Sequence, residues 1–248
     1  MNVTYTYISI TITLFPYDGK SINDLVKSST VHVKKWCVPL GMKKWLLDNF
    51  GQQANYHQGI NEKDIYEMEW WDELAFDKSE PVSNNRNTTV KVTCAPSQHW
   101  CCRTPFDRDI RLWCSWAVET ISTPESRSSS NRLAFYFAGD TGVPRNGFPL
   151  HKQIGTRLGP FDLAALPIGA YLPRDFIGDS HINPMEARQL HLDLHATYSL
   201  AIHWGTFALG DEPFYEPPCL LRECFDSSTV DGKDPFFVVR QGGYVLSD

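Results

Sequence analysis

Three short apolar segments of the chain each lead to a residue type that binds metal ions. The segments and the residues that follow them are Val90–Ala95 with His99, Leu133–Phe137 with Asp140, and Ser199–Ile202 with His203. Short apolar or β-branched runs bounded by turn residues predict buried strands. A metal-binding residue type just past the end of each strand indicates one shared site at one edge of a sheet, where α/β folds place their chemistry.

The strands outnumber the helices, and the helices fall between strands, which predicts an α/β fold. The clearest helix start is Asn183, followed by Pro184 at the first helical position and Glu186 in the capping-box position. Its predicted inner face is Ala187, Leu190 and Leu194. No internal repeat and no linker composition divides the chain, so we predict a single domain over residues 1–248.

Periodicity and turn residues predict the remaining elements. Helices are expected over residues 21–29 and 41–50 and near 218–226, strands over 1–15, 110–118, 161–168 and 235–240, and loops over 79–89 and 122–132.

Composition excludes several classes of protein. A hydrophobic content of 42% with 13% aromatic residues is typical of a globular protein. The net charge of −6 argues against a nucleic-acid partner. No apolar stretch reaches the ~18 residues of a membrane-spanning helix, and residues 1–15 lack the pattern of a signal peptide. Seven cysteines, two of them adjacent, favour a reduced intracellular protein.

Asp140, His99 and His203 are the candidate metal ligands. Asp140 lies in a turn flanked by Gly139 and Gly142, which allow something to approach closely; the alternative is an Asx-turn that caps its own backbone. His99 and His203 have the alternative of core histidines that are hydrogen-bonded internally. Together the three supply two imidazoles and one carboxylate, a set that zinc or iron takes.

Three further histidines lie on or beside the helix that begins at Asn183. His191 and His195 are four residues apart and could chelate a metal, but without an HExxH pattern we expect both on the helix surface. His181 just precedes the helix, where an imidazole is placed to meet an anion. Its alternative is a loop residue that packs against the helix entrance.

Basic residues and cysteines are the remaining candidates for site residues. A phosphate clamp could come from Arg103, Lys152, Arg157 and Arg174. A solvated surface role is the default for each. Cys101 and Cys102 are adjacent, and adjacent cysteines rarely both reach one ion, so thiolate ligation is not favoured.

Several motifs occur in one order along the chain. They are WCVPLG from Trp36, then Trp45, Trp70-Trp71, PSQHWCCRTPFDRDIRLWCSW, FYFAGDTG, IGTRLGPFDLAALPIGAYLPR, HINPMEA and AIHWGTFAL. In this order they resemble the N-acylphosphatidylethanolamine-hydrolysing phospholipases D, a family of the metallo-β-lactamase fold superfamily. The resemblance runs from about residue 36 to the end, whereas residues 1–18 diverge. It implies a four-layer αββα sandwich, here incomplete at the N-terminus.

The resemblance also implies a function and roles for residues. His99 would bind one zinc ion, Asp140 would bridge two, and His203 would bind the other. His181 would face the substrate phosphate and take part in catalysis together with Asp140. The implied reaction hydrolyses N-acylphosphatidylethanolamine to an N-acylethanolamine and phosphatidic acid. The family also implies a phospholipid substrate, peripheral contact with intracellular membranes and a homodimer.

The chain departs from this family in one motif. The family carries His-x-His-x-Asp-His upstream of WCVPLG, and the corresponding region here is ITLFPYDGKSIND. If Leu14, Pro16 and Gly19 occupy histidine positions, three ligands are missing and Asp18 is the only candidate left. We therefore expect one zinc ion or none, and weak or no activity.

Two explanations of this departure stay open. The chain is a truncated, alternatively spliced or incompletely annotated phospholipase, or a paralogue that lost the chemistry and acts as a non-catalytic lipid-binding or dimerisation partner. The three downstream ligands favour the first. A metallo-β-lactamase-fold hydrolase with a different substrate is a third possibility, against which RTPFDRD and LPIGAYLPR argue.

Overall fold

Among the described residues, strands and helices alternate toward both ends of the chain, and five successive strands lie between these parts. The computed structural model describes residues 5–10, 19–29, 31–51, 59–77, 87–102, 106–123, 131–225, 235–239 and 243. The strands are β1 (Tyr5–Ile10), β2 (Val31–Pro39), β3 (Ile65–Met68), β4 (Glu73–Asp77), β5 (Asn87–Pro96), β6 (Cys114–Thr123), β7 (Asn131–Phe137), β8 (Phe161–Pro167), β9 (Ala196–Ile202) and β10 (Phe236–Phe237). The α-helices are α1 (Gly19–Lys27), α2 (Lys43–Phe50), α3 (Leu150–Leu158), α4 (Arg174–Ile177), α5 (Pro184–Asp193) and α6 (Glu216–Phe225).

The strands form two sheets. The smaller sheet has the order β1-β2-β3 with parallel neighbours, and the larger sheet has the order β10-β9-β8-β7-β6-β5-β4. In the larger sheet β6 is antiparallel to both β5 and β7, while β7, β8 and β9 are mutually parallel. Consequently β5, β7, β8 and β9 all run in one direction and end at the same edge.

Three apolar clusters set the order of the layers. Between the two sheets, Cys37 and Met68 of the smaller sheet pack with Cys94 and Trp116 of the larger. Side chains of α1 and α2 cover the other face of the smaller sheet, and side chains of α3, α5 and α6 cover the other face of the larger. The order is helices, sheet, sheet, helices, which confirms the predicted αββα architecture.

Helix α5 is the element that the sequence predicted best. The Asn183 side chain accepts a hydrogen bond from the Glu186 N–H at 2.9 Å, and the Glu186 carboxylate accepts from the Asn183 N–H at 2.8 Å. Its inner residues, Ala187, Leu190 and Leu194, are at most 1% exposed. The capping box fixes where the helix begins, and therefore fixes the segment that carries His181 just before it.

The predicted strand over residues 110–118 is wrong in its first half, because β6 begins only at Cys114. Asp109 takes a left-handed conformation with φ 56°, and its N–H donates to the carbonyl of Cys101. The Leu112 N–H donates to the carbonyl of Leu40. These bonds hold the segment in a loop against neighbouring segments and away from the sheet.

Several strands are longer than the sequence predicted, because pairing with neighbouring strands in the sheet extends them. Residues 87–89 belong to β5 and residues 122–123 to β6, although both stretches were predicted as loop. Residues 131–132 likewise belong to β7. The last strand is limited to Phe236–Phe237, and α3 was not predicted. The predicted divergence of residues 1–18 lies mostly outside the described residues, and the single domain stays a prediction.

Candidate metal centre

The common edge of the larger sheet gathers the residues that the sequence singled out. His99 follows β5, Asp140 follows β7, and His203 follows β9 directly. Because these strands point the same way, their carboxyl ends bring the three side chains together. His181 does not follow a strand but lies on the segment between α4 and α5.

Asp140 lies between two imidazoles. Its Oδ2 is 3.9 Å from His99 Nε2, and its Oδ1 is 3.2 Å from His203 Nε2. The ligand atoms of His99, Asp140 and His181 all lie within 4.8 Å of one another. The His181 ring centroid is 5.3 Å from that of His99 and 5.4 Å from that of His203. The structure therefore brings together all four predicted site residues.

Backbone carbonyls determine which ring nitrogens face Asp140. His99 Nδ1 is 2.6 Å from the carbonyl oxygen of Trp100, and His203 Nδ1 is 3.2 Å from that of Gly169. A carbonyl oxygen can only accept a hydrogen bond, so each Nδ1 must carry the proton. In the neutral imidazoles, Nε2 of both rings then presents a lone pair toward the carboxylate.

Burial dominates the electrostatics of the centre. Asp140 is 5% exposed, and burial raises the pKa of its carboxyl, although His203 and His99 act in the opposite direction. Burial, together with His203, His99 and Arg174, lowers the pKa of His181 to about 3. His181 is therefore a neutral imidazole at neutral pH, with a lone pair available on one nitrogen.

The unsatisfied atoms of the centre fit a cation. Asp140 Oδ1, His99 Nε2 and His181 Nδ1 are buried without a hydrogen-bond partner. Buried polar atoms normally have partners, and acceptors that face one another repel. A divalent cation would satisfy all of them, and imidazole with carboxylate is a donor set that zinc takes. The two oxygens of Asp140 face different imidazoles, which suits a bridging carboxylate. The role of each residue as a ligand stays a prediction.

Thr141 and Gly142 join the segments that carry the candidate ligands. The Thr141 hydroxyl accepts a hydrogen bond from the Gln98 N–H at 3.0 Å, and the Gly142 N–H donates to the Gln98 carbonyl at 2.7 Å. A Cβ on Gly142 would lie 2.2 Å from the Asp179 carbonyl oxygen, so only glycine lets the segment before His181 approach. The motif FAGDTG contains the signal for these contacts, but the sequence analysis did not assign them.

We expect Thr141→Val to destabilise the fold by about 1–3 kcal/mol, because the Gln98 N–H loses the acceptor that the buried Thr141 provides while the side-chain volume hardly changes. Thr141→Ser keeps the hydroxyl and serves as the matched control. Urea denaturation followed by tryptophan fluorescence measures both variants. Equal stability of the valine and serine variants would show that this hydrogen bond contributes little.

The prediction that His191 lies on the helix surface is wrong. Its side chain is buried at 6% exposure, and Nδ1 is 2.8 Å from the Ser199 hydroxyl. The ring packs near Phe225 and Phe236, each with a centroid distance of 6.1 Å. The packing of α5 against α6 and β9 buries this position. His195 is exposed as predicted, and it follows the end of α5.

The candidate cations that the structure describes make separate contacts. Arg174 donates to the His181 carbonyl at 2.9 Å and to the Glu186 carboxylate at 2.7 Å. The Arg157 guanidinium lies 3.9 Å from the ring centroid of Trp71. Lys152 is exposed. Arg174 thus positions the backbone of His181.

Four candidate residues are not part of this site. Arg103 and Asp18 lie outside the described residues. Cys101 and Cys102 do not belong to the cluster of His99, Asp140 and His181. The ligands that the resemblance places in the upstream motif would fall in a region of which the structure describes only part.

Comparisons with known proteins identify the family of the chain. A family profile described as "beta-lactamase superfamily domain" matches residues 17–204. The chain is 42% identical over 212 residues to N-acyl-phosphatidylethanolamine-hydrolyzing phospholipase D 1 of Caenorhabditis elegans, covering 85% of this chain and 52% of the relative. It is 32% identical over 183 residues to the mitochondrial N-acyl-phosphatidylethanolamine-hydrolyzing phospholipase D of Saccharomyces cerevisiae, covering 73% and 33%. The chain therefore spans about half or less of the length of these relatives.

A solved structure supports the fold alone. Isothiocyanate hydrolase from Delia radicum gut bacteria superposes with a TM-score of 0.50 at 13% sequence identity, covering 92% of this chain and 79% of that protein. The similarity to phospholipase D that the motifs predicted is confirmed by the two curated relatives.

Proposed function

Because the chain belongs to the beta-lactamase superfamily domain family, we propose that it is a zinc-dependent hydrolase of the phospholipase D type. The proposed substrate is N-acylphosphatidylethanolamine, and the products are an N-acylethanolamine and phosphatidic acid. The observation that carries the proposal is the buried convergence of two imidazoles, a carboxylate and His181, with acceptor atoms that have no hydrogen-bond partner.

We propose different roles in binding zinc and substrate for the residues of the centre. His99 and His203 would hold zinc through Nε2, with Asp140 between them. Zinc held there supplies a Lewis acid that polarises a phosphodiester and offsets its developing negative charge. His181 lies at the same edge as a neutral imidazole, where it can hydrogen-bond a phosphate oxygen or move a proton. Arg174 fixes the backbone of His181 through its carbonyl.

We propose that turnover by this chain is impaired. Its sequence contains no His-x-His-x-Asp-His motif, and the described residues offer His99, Asp140, His181 and His203 to an ion. Three or four donors suit one zinc ion better than two. Loss of a group that hydrogen-bonds a metal ligand typically lowers metal affinity or activity about 10–100-fold. Loss of the ligands themselves should lower both by more.

Exposed apolar side chains on the segments that carry the candidate histidines support contact with a lipid. Phe106 is 95% exposed on the segment after His99, Phe176 is 83% exposed before His181, and Phe207 is 67% exposed after His203. We propose that these side chains contribute to one exposed apolar surface, because contiguous surfaces of this kind mark interaction sites. They support peripheral association with an intracellular membrane, and the homodimer stays a prediction.

Among the residues that the structure describes, no helix combines the length and the apolar character needed to cross a bilayer.

The test measures zinc content and lipid hydrolysis on the same purified chain. We expect about one zinc ion per chain by elemental analysis. We also expect slow release of N-acylethanolamine from N-acylphosphatidylethanolamine in mixed micelles, abolished by a chelator. Two zinc ions with rapid turnover would contradict the proposed impairment. No bound zinc and no turnover at any chain concentration would contradict the proposed hydrolase.

The missing motif also supports a second candidate, a non-catalytic lipid-binding or dimerisation paralogue. This second candidate predicts that binding to phospholipid vesicles is unchanged when His99, Asp140 and His203 are replaced with alanine. Co-sedimentation of the wild type and the triple variant with vesicles that contain N-acylphosphatidylethanolamine separates the two candidates. Weaker vesicle binding by the triple variant would favour the zinc hydrolase.

A further inference from the structure

The orientation of His203 depends on the segment that follows β8. The only hydrogen bond described for its ring joins Nδ1 to the carbonyl oxygen of Gly169, at 3.2 Å. A Cβ on Gly169 would lie 2.4 Å from the carbonyl oxygen of His203, so the two backbones are in direct contact. The Ile168 N–H also donates to the carbonyl of Ile202 at 3.1 Å. A shift of this segment would therefore move the acceptor that orients the imidazole.

The carboxylate of Glu212 holds the backbone of that segment. The Glu212 side chain accepts hydrogen bonds from three consecutive backbone N–H groups, those of Ala170 at 2.5 Å, Tyr171 at 3.2 Å and Leu172 at 3.0 Å. Three consecutive N–H groups that converge in this way form an anion-binding nest. Hydrogen bonds to a charged acceptor are the strong ones, so the carboxylate contributes more than a neutral group would.

The backbone within the nest is strained. Ala170 has φ 62°, a left-handed conformation that is unfavourable for a non-glycine residue. Such a conformation persists only where its surroundings impose it, and the contacts of Glu212 with residues 170–172 provide that constraint. Gly210 makes the approach possible, because a Cβ there would lie 2.2 Å from Glu212 Oε2.

We infer that Glu212 is a positioning residue for the metal centre. Its carboxylate holds residues 170–172, these hold the Gly169 carbonyl against His203 Nδ1, and that contact directs His203 Nε2 toward Asp140. This inference rests on the proposed function for the role of His203 as a ligand. The linkage from Glu212 to His203 concerns the protein alone and can be measured without metal.

The test uses two variants that disturb the nest in different ways. Glu212→Gln replaces one acceptor oxygen with an NH₂ group that faces backbone donors. Gly210→Ala keeps the charge but displaces the carboxylate. We expect zinc affinity, measured by competition with a chromophoric chelator, to fall about 10-fold in each, as for other lost outer partners of a metal site.

Glu216→Gln is the matched control. Glu216 accepts a hydrogen bond from the Tyr171 hydroxyl at 2.5 Å, on the same segment, but no backbone N–H of the nest is described as bonding to it. A glutamine oxygen can accept that bond equally well, so zinc affinity should stay within about 2-fold of the wild type. An equal loss in Glu216→Gln would show that any disturbance of the segment suffices, and would overturn the assignment to Glu212.

A second readout separates this inference from the proposed function. In metal-free protein labelled with ¹⁵N-histidine, the Nδ1–H resonance of His203, assigned with His203→Gln, should exchange slowly with solvent. We expect exchange about 10-fold faster in Glu212→Gln and Gly210→Ala, and unchanged in Glu216→Gln, at a helical content equal to that of the wild type. Unchanged exchange in both nest variants would overturn the inference even if zinc binds. If the wild type binds no zinc, the exchange rates still decide. If Glu212→Gln fails to fold, Gly210→Ala decides.

Discussion

Asp140→Asn should lower the zinc affinity of the chain by more than about 100-fold, because it alters a predicted ligand itself rather than an outer partner. The two oxygens of Asp140 face His203 Nε2 and His99 Nε2 at 3.2 and 3.9 Å, and the amide removes the negative charge between them. The amide NH₂ can also donate to one of the imidazole lone pairs. The metal-free variant should therefore be at least as stable as the metal-free wild type.

Thermal unfolding with and without zinc measures this effect. At a free zinc concentration of ~100 Kd, binding stabilises the wild type by about 2.7 kcal/mol, which raises Tm by roughly 5–10 °C for a chain of this size. We expect no such rise for Asp140→Asn. Asp48→Asn is the control, since Asp48 is exposed and, within the described part of the chain, pairs with Lys44 at the surface; it should keep the full rise. A zinc-dependent rise in Asp140→Asn equal to that of the wild type would exclude Asp140 as a ligand.

Leu190→Ala should destabilise the fold by about 3 kcal/mol, within the 2–5 kcal/mol that buried leucine truncations cost. Leu190 is 1% exposed and belongs to the cluster that joins α3, α5 and α6 to the larger sheet. The loss combines the lost burial of the side chain with the cavity that remains. Urea denaturation at constant m-value measures the change in the free energy of unfolding.

Leu192→Ala is the matched control on the same helix. Leu192 is 46% exposed, so the same truncation removes much less buried area. We expect a loss below about 1 kcal/mol. Similar losses for the two variants would mean that α5 does not present the inner face that the structure shows.

The local signals of the sequence proved reliable where a short segment decides its own conformation. The capping box of Asn183 and Glu186 formed as predicted, because both partners lie within one helical turn. The strand before His99 and the strand before Asp140 also formed, each somewhat longer than predicted. Their apolar residues are stabilised by burial in a sheet, and this preference can be read directly from the residue types.

His191 and residues 110–113 show where local signals failed. The helical pattern placed His191 on the surface, but α6 and β10 cover it, and both come from distant parts of the chain. Residues 110–113 have the composition of a strand, yet the hydrogen bonds to the carbonyls of Leu40 and Cys101 keep the segment in a loop. The contacts of His191 with Phe225 and Phe236, and of Leu112 with Leu40, join residues far apart in sequence.

The sequence alone determined which residue types stand at the ends of β5, β7 and β9, and hence that imidazole and carboxylate chemistry would meet at one sheet edge. It could not determine the orientation of the rings or what holds them. The Trp100 and Gly169 carbonyls, the unsatisfied atoms around Asp140 and the nest filled by Glu212 exist only after folding. Every residue has a backbone carbonyl, so the sequence cannot show which carbonyl orients a histidine ring. Only the tertiary structure could assign that role.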